Sequence, residues 1–516
     1  VGAAAAAAGS LERARPSAPA GTDGIPDAGA VRNTVLQFAS QLVGLVFTGA
    51  LTLVLVRVLG ASGYGIYGLA VGVGGLLVLP AGLGLPMAVG RYLAEHRNDR
   101  AQAALILSLG LRLQLPVALV ASAALFVLAA PIAHAYSHPR LLWPLRWMAV
   151  AIAGQCVFNL LAAAAASLRQ SAIALRISVV ESVLEATSAI ALVLAGAGAA
   201  GAAVGRAIGY VGASLAGLYL SARLLGRRGR DHARAAAVGP RRLLGYAGQM
   251  LAIDVGFSVI AQLDTLMIGA LLSAAAVGQF SAVLRVLAVF SYVGLAVASG
   301  VAPRVAAGGD GPDRDSFSVA LRLLIITQGL VIAPMLVWPG PIVALLLGSG
   351  YQRSPAVMRA LTPFYFLAGP AGLITVSVTY LGAGAKRVVI VVVTLVVALA
   401  ATYGLLRAVG LVGAAYGDDV LEVVWVLSHL WICHRLLGLD LRAIGVSVSR
   451  TLVGAGAMAL VLWAVGTESL SVWQWVGGLL AALAAYVGAL LLTRELTVAE
   501  LRLLGARLRA ATLSKR

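Results

Sequence analysis

"VRVLGASGYGIYGLA" runs from Val56 to Ala70, and "IGALLSAAAVGQFSA" runs from Ile268 to Ala282. In each, an apolar run ends in leucine, small residues make a turn, and a Gly-x-aromatic triplet opens the next apolar run. The triplets are Gly65-Ile66-Tyr67 and Gly278-Gln279-Phe280, 213 residues apart. At the same offset Gln41 meets Asp254 and Thr52 meets Thr265. Two further matches keep this order. "LRLQLPVALVASAALFVLAAPI" from Leu111 returns as "LRLLIITQGLVIAPMLVWPGPI" from Leu321, and "GAAVG" at Gly201 to Gly205 returns as "GAAYG" at Gly413 to Gly417.

The composition says what kind of unit repeats. A chain of 516 residues that is 60% hydrophobic and 11% charged, with a mean hydropathy of +0.95, has too little polar surface to cover a water-soluble globule. Apolar runs of about 20 residues mark an all-α polytopic membrane protein. The 60 glycines read as surface that lets transmembrane helices approach closely. Apolar windows between polar breaks give about fourteen spans, near 32–58, 64–90, 102–130, 141–167, 172–195, 200–223, 243–272, 277–303, 317–347, 355–382, 387–407, 411–434, 443–465 and 471–493. Pro80, Pro86, Pro116, Pro334, Pro363 and Pro370 fall inside spans, where they kink but do not end helices.

The unit of six spans is therefore present twice. Six is even, so both copies share one orientation about an axis along the membrane normal, and the route through the protein lies between them. The domains expected are a disordered cytoplasmic tail (1–28), an N-lobe (29–225), a basic loop (226–242), a C-lobe (243–436), two further spans (437–493) and a basic amphipathic tail (494–516). Glu12, Asp23 and Asp27 interrupt the first segment where a signal peptide would have its apolar core.

With the N-terminus inside, roughly 26 of the 38 Lys and Arg fall in the tails and alternate loops, which places both termini in the cytoplasm. The net charge of +18 is then topology and contact with anionic lipid. A nucleic-acid partner would need a soluble basic domain with stacking aromatics, and none is visible. Cys156 and Cys433 sit in apolar runs and read as small buried hydrophobes. His134 and His138, beside "AYSHPR", lack supporting Cys or carboxylates, so no metal site is expected.

Arg57, Leu59, Gly60, Tyr64, Gly65 and Tyr67 in the first turn, "GLGLPMAVGRYLAEHR" at the close of the second span and "GAAxG" at the start of spans six and twelve resemble the polysaccharide-biosynthesis flippases. These are O-antigen-type oligosaccharide exporters of the multidrug/oligosaccharidyl-lipid/polysaccharide (MOP) superfamily. The resemblance covers nearly the whole chain after residue 28. It implies an alternating-access transporter in the cytoplasmic (inner) membrane that moves a polyprenyl-(di)phosphate-linked oligosaccharide to the outer leaflet. It also implies a V-shaped cavity between the first two helices of each lobe, lined by basic residues, and a lipid-tail groove on the last two helices. No cofactor is expected beyond a coupling Na⁺ or H⁺. The expected partners are the lipid-linked substrate and membrane lipids, with the monomer as the working unit.

Thr34, Gln37, Gln41, Thr48 and Thr52 recur at helical spacing on span one, as do Asp254, Ser258, Gln262 and Thr265 on span seven. Such stripes either line a cavity for sugar hydroxyls or join helices. Arg285 lies deep in span eight, where an arginine needs water, an anion or a carboxylate such as Asp254 or Asp264. It is the leading candidate for a phosphate contact. Arg91, at the cytoplasmic end of span two, is a candidate for meeting incoming phosphate. Arg112 and Arg322 are repeat partners placed to snorkel to the interface.

Span five carries Glu181 and Glu185 one turn apart, beside Ser178, Ser182 and Ser188. They form either a cation-coupling site or an ion-pair network with Arg176 or Arg206. Asp418 and Asp419 follow "GAAYG", and the repeat sets Arg206 opposite Asp418, with Glu422 on the next turn. A cross-lobe ion pair between Arg206 and Asp418 would gate one side.

A membrane-embedded enzyme would present catalytic groups on a large extramembrane loop, and the outer loops here are only a few residues long. The alternatives are a peptidoglycan-precursor (lipid II type) flippase with the same plan, or a cation-coupled multidrug exporter of the same superfamily.

Overall fold

The computed structural model describes residues 28–226, 238–306, 313–497 and 499–500. The expected N-terminal tail, most of the basic loop and most of the C-terminal tail lie outside them. Among the described residues the fold is all helix, without strands. The N-lobe holds α1 (Ala28–Gly82), α2 (Leu85–Glu95), α3 (Arg100–Ala135), α4 (Leu142–Ser167), α5 (Ser171–Leu192) and α6 (Gly198–Leu225). The C-lobe holds α7 (Pro240–Leu271), α8 (Ala274–Ala306), α9 (Arg314–Val337), α10 (Pro339–Leu346), α11 (Ser354–Ala360), α12 (Thr362–Tyr380), α13 (Gly384–Val409) and α14 (Leu411–Leu437). The last two helices are α15 (Leu441–Val465) and α16 (Val472–Leu492).

Ten of these stretches are long and apolar enough to cross a membrane, or eleven if the bent pair α11–α12 is one span. The sequence count of fourteen is not reached on that measure, and the geometry says why. Val46–Gly82 counts once although Gly60 (φ 62°, ψ 178°) breaks α1 into two rods, and Ser171–Leu225 counts once as a 55-residue stretch. At 1.5 Å per residue that stretch would be far longer than a bilayer core of about 30 Å. It turns instead at Gly196 (φ 89°) and Gly198 (φ 58°). α7 contributes only the short apolar piece Ser258–Leu271.

The repeat is visible in the backbone. Gly198, the first residue of α6, has φ 58° and ψ −144°, and Gly410, just before α14, has φ 68° and ψ −144°. Both are left-handed conformations that a Cβ disfavours. Each opens the helix that carries the "GAAxG" motif.

The repeated turn is where the lobes cross. A Cβ built on Gly65 would stand 1.7 Å from the carbonyl oxygen of Ala274, and one on Gly278 would stand 1.9 Å from that of Ala61. The two glycines face each other in a reciprocal, pseudo-two-fold contact that only hydrogen side chains permit. Around them, the Tyr351 hydroxyl donates to the Val56 carbonyl (3.1 Å) and Gln279 Nε2 donates to the Gly350 carbonyl (2.9 Å). Arg57, from the family-like turn, donates to the carbonyls of Leu345 and Leu346 at the end of α10. This end of the bundle is sealed by backbone packing.

The last two helices dock on α9. The Tyr486 hydroxyl donates to the Ile326 carbonyl (2.6 Å), and Trp338 Nε1 donates to the Gly466 carbonyl (2.8 Å). At the opposite end Glu495, 3% exposed in its side chain, holds Arg322 (3.1 Å) and Arg450 (3.4 Å) and accepts from Ser447 Oγ (2.6 Å). Arg322 also reaches Glu500 (2.9 Å), whose carboxylate is held below its usual range by the Thr497 backbone N–H and by this arginine. Arg322 is thus an anchor and not the snorkelling side chain expected from the sequence, while its repeat partner Arg112 is exposed. Because both arginines stay partly exposed, Glu495→Ala should destabilise the protein by about 1–3 kcal/mol, seen as a lower melting temperature in detergent. Arg322→Lys should lose less.

Candidate functional site

The second rod of α1 packs against α7, through small residues on one helix and polar ones on the other. The Ser258 hydroxyl donates to the carbonyls of Gly75 (2.9 Å) and Leu76 (3.0 Å). Gln262 and Thr265 press on Gly72, and Gln262 also presses on Gly75, so closely that a Cβ at either glycine would stand 2.9 Å from one of them. These members of the polar stripe join the lobes. Thr52 is buried, with its side chain hydrogen-bonded to Tyr64. The side chains of Thr34, Gln37, Gln41 and Asp254 lie outside the described residues, whereas Thr48 is exposed.

The repeat partner of Gly72 is Arg285. Where glycine lets α1 close on α7, the symmetric position on α8 carries a guanidinium. Arg285 is exposed and makes no ion pair with a described residue. It lies near enough to Tyr64 and Tyr67 of α1 to act on both hydroxyls electrostatically. Asp264, one of its expected partners, is engaged elsewhere.

Asp264 on α7 and Asp418 on α14 meet side chain to side chain. Two carboxyl groups can share such a contact only with a proton or cation between them, since a carboxylate is acceptor-only. Both line a C-lobe cavity of about 460 Å³ that also takes in Glu422, Thr375 and Trp425. Glu422 is 7% exposed. It has no hydrogen-bond or ion-pair partner among the described residues. Sequence reasoning named all three acids but did not bring Asp264 to Asp418; the usable signal was that α7 and α14 carry acids with no basic residue at matching depth. Asp419, beside them, accepts from the Phe364 backbone N–H (3.0 Å) and fixes the start of α12.

The N-lobe differs at the equivalent place. Arg206, the repeat partner of Asp418, pairs with Glu185 (3.0 Å) and donates to the Tyr210 hydroxyl (3.2 Å). Glu181 accepts from Ser182 Oγ (3.0 Å). The cross-lobe pair between Arg206 and Asp418 is therefore not formed, because each side chain is satisfied or coupled inside its own lobe. The ion-pair reading of span five holds with Arg206 as the cation; Arg176 forms no ion pair among the described residues.

At the end opposite the glycine crossing, Arg91 pairs with Glu95 (3.1 Å). Its guanidinium lies 4.6 Å from the Tyr246 ring of α7 and 5.8 Å from the Tyr92 ring. Arg242 lies 5.4 Å from the Tyr92 ring, and the two tyrosines meet edge to face at 6.4 Å.

No curated protein sequence matches this chain. Among solved structures, the lipid II flippase MurJ in an inward closed conformation is similar with a TM-score of 0.68 at 12% identity, covering 90% of this chain and 98% of that one. An inward-facing multidrug resistance MATE family transporter of the MOP superfamily is similar with a TM-score of 0.59 at 16% identity, covering 78% and 98%. At such identities the likeness is one of fold. The sequence profile named polysaccharide biosynthesis protein matches residues 28–306, more than half of the chain. With its repeated turn, two crossed lobes and this match, the chain belongs to the polysaccharide biosynthesis protein family, with a fold like that of the MurJ and MATE transporters.

Proposed function

We propose that this multi-pass membrane protein is an alternating-access flippase for a polyprenyl-(di)phosphate-linked oligosaccharide, working without covalent chemistry. The observation that carries the reading is Arg285, an exposed guanidinium without an ion-pair partner among the described residues, inside a membrane-spanning helix between two lobes. Such a charge is costly in a bilayer unless it faces water or an anion, and its fork matches phosphate oxygens. The glycine-crossed end faces outward, and both termini and the 226–242 loop face the cytoplasm, as the charge asymmetry requires. One chain supplies both lobes, so the monomer suffices. Depleting the protein in its native host should trap lipid-linked glycan in the inner leaflet; unchanged surface glycan would count against the reading. The fold likeness to MurJ over 90% of the chain keeps a peptidoglycan precursor as the second candidate cargo.

The coupling cation belongs in the C-lobe. At equivalent positions the N-lobe carries its own cation, Arg206, against Glu185, while the C-lobe carries Asp418 against Asp264 with Glu422 unpaired. In the N-lobe Glu181 also meets Glu185 side chain to side chain, but Arg206 lies against that pair, whereas the C-lobe set has no cation of its own among the described residues. Asp418→Asn and Glu422→Gln should each remove the dependence of transport on the H⁺ or Na⁺ gradient, while Asp419→Asn should leave it. Gradient dependence that persists in Asp418→Asn would move coupling elsewhere.

A further inference from the structure

The cytoplasmic end of the lobe interface gathers cations and aromatic rings from both lobes. Two arginines from different lobes, Arg91 of α2 and Arg242 of α7, lie against one tyrosine pair that also comes from both lobes. Both guanidinium carbons lie within reach of the Tyr92 ring, at 5.8 and 5.4 Å. Both side chains are exposed. Stacking occupies the faces of the guanidinium planes and leaves edge N–H groups free, and stacking on a ring also holds the plane in place. Glu95 takes Arg91 Nε (3.1 Å) and the Tyr246 hydroxyl also bonds to this guanidinium, while Arg242 has no carboxylate partner among the described residues. Glu95 offsets only one of the two positive charges, and a bound polyanion would relieve the repulsion that is left.

We propose that this clasp is a second diphosphate site, separate from Arg285, and that its occupation closes the cytoplasmic mouth. The proposal rests on the reading that the cargo carries a diphosphate. A site with one arginine from each lobe is complete only when the lobes are together. A ligand that needs both arginines therefore binds the inward-closed arrangement better, and it shifts the equilibrium by that difference. The opposite seal is built differently: it rests on glycine backbone contact, on the Tyr351 and Gln279 hydrogen bonds to carbonyls, and on one arginine, Arg57, which is engaged by the Leu345 and Leu346 carbonyls of the other lobe. The cytoplasmic contact is the one that an anion can strengthen, so closure follows loading. An empty carrier, lacking the anion, keeps its cytoplasmic side more open.

The test uses the full chain in nanodiscs of zwitterionic lipid, with Cys156 and Cys433 replaced by serine and spin labels at Ala94→Cys and Gly245→Cys. Both positions are exposed, and a Cβ at Gly245 meets nothing within 4 Å. Pulsed EPR reads the closed and open distances during titration with inorganic pyrophosphate, and separately with polyprenyl diphosphate in the disc. The closed-to-open ratio should rise about tenfold with either. Arg91→Gln and Arg242→Gln should each remove the response, and Arg285→Ala should keep the response to pyrophosphate. A resting state that is already closed would hide the shift, so the titration is repeated with Leu243→Ala, which trims the buried apolar contact beside the clasp. No shift in either background, a shift toward open, or an undiminished response in the Arg→Gln variants overturns the clasp. Closure by pyrophosphate but not by polyprenyl diphosphate overturns the lipid-linked cargo and leaves the clasp standing.

Discussion

Arg285→Ala should lower glycan translocation by about 30-fold or more, the effect of losing about 2 kcal/mol from a desolvated charge pair, with protein abundance and melting temperature unchanged. The second half of that expectation carries as much weight as the first. Arg285 makes no ion pair with a described residue, so its removal strands no carboxylate there, and a purely structural arginine would behave in the opposite way. Arg285→Lys should restore part of the rate, because it returns the charge without the two-pronged donor geometry that phosphate accepts. The measurement is initial export rate against membrane abundance in the same cells. Normal export by Arg285→Ala at normal abundance would take this residue out of the mechanism.

Gly65→Ala and Gly278→Ala should break the seal at the glycine crossing. The added carbon would stand 1.7 Å from the Ala274 carbonyl oxygen in the first case and 1.9 Å from the Ala61 carbonyl oxygen in the second. Neither neighbour is a flexible side-chain end, so the helices must separate. Overpacking against backbone places the cost near the upper end of the usual range, about 3 kcal/mol. The reciprocal geometry adds a specific expectation: either substitution alone should have nearly the full effect, and the double variant should be far less than additive. Val277→Cys, fully buried beside the crossing, reports the change in a background without the two native cysteines. It should resist a membrane-impermeant maleimide in the parent and react in either alanine variant. Continued protection would mean that the lobes part somewhere else.

These two residues show what could be read before folding. The repeat set Gly65 against Gly278 and "GAAVG" against "GAAYG", and the backbone returned the first pair as a mutual contact and placed paired left-handed glycines, Gly198 and Gly410, just ahead of the second. Patterns that depend on local spacing and on symmetry survive in one dimension. Partner choice does not. Asp264 meets Asp418 only because α7 and α14 belong to one lobe and touch at that depth, and Arg206 faces Glu185 because α5 and α6 pack antiparallel after the turn at Gly196. The opposite-charge match between Arg206 and Asp418 is real as sequence symmetry and is not a contact in this structure. Glu495 escaped notice because it lies just past the end of α16, where a carboxylate is ordinarily solvated, whereas here it is clamped by Arg322 and Arg450. The helix count differs for a related reason: counted by length and apolarity, two rods run together across the glycine turns at Gly60 and Gly196, where the sequence reading sets them apart.

On the proposed function, a diphosphate-linked glycan crosses the bilayer through the route between the two lobes. The most direct measurement is reconstitution of the purified protein into sealed liposomes that carry a short polyprenyl-diphosphate oligosaccharide in both leaflets, with an external glycosidase to read the exposed fraction. Liposomes with the wild-type chain should expose the shielded inner-leaflet glycan to the enzyme, and those with Arg285→Ala should expose it no faster than protein-free liposomes. Shielded glycan that stays protected with active wild-type protein, under an imposed H⁺ or Na⁺ gradient of either direction, would contradict it.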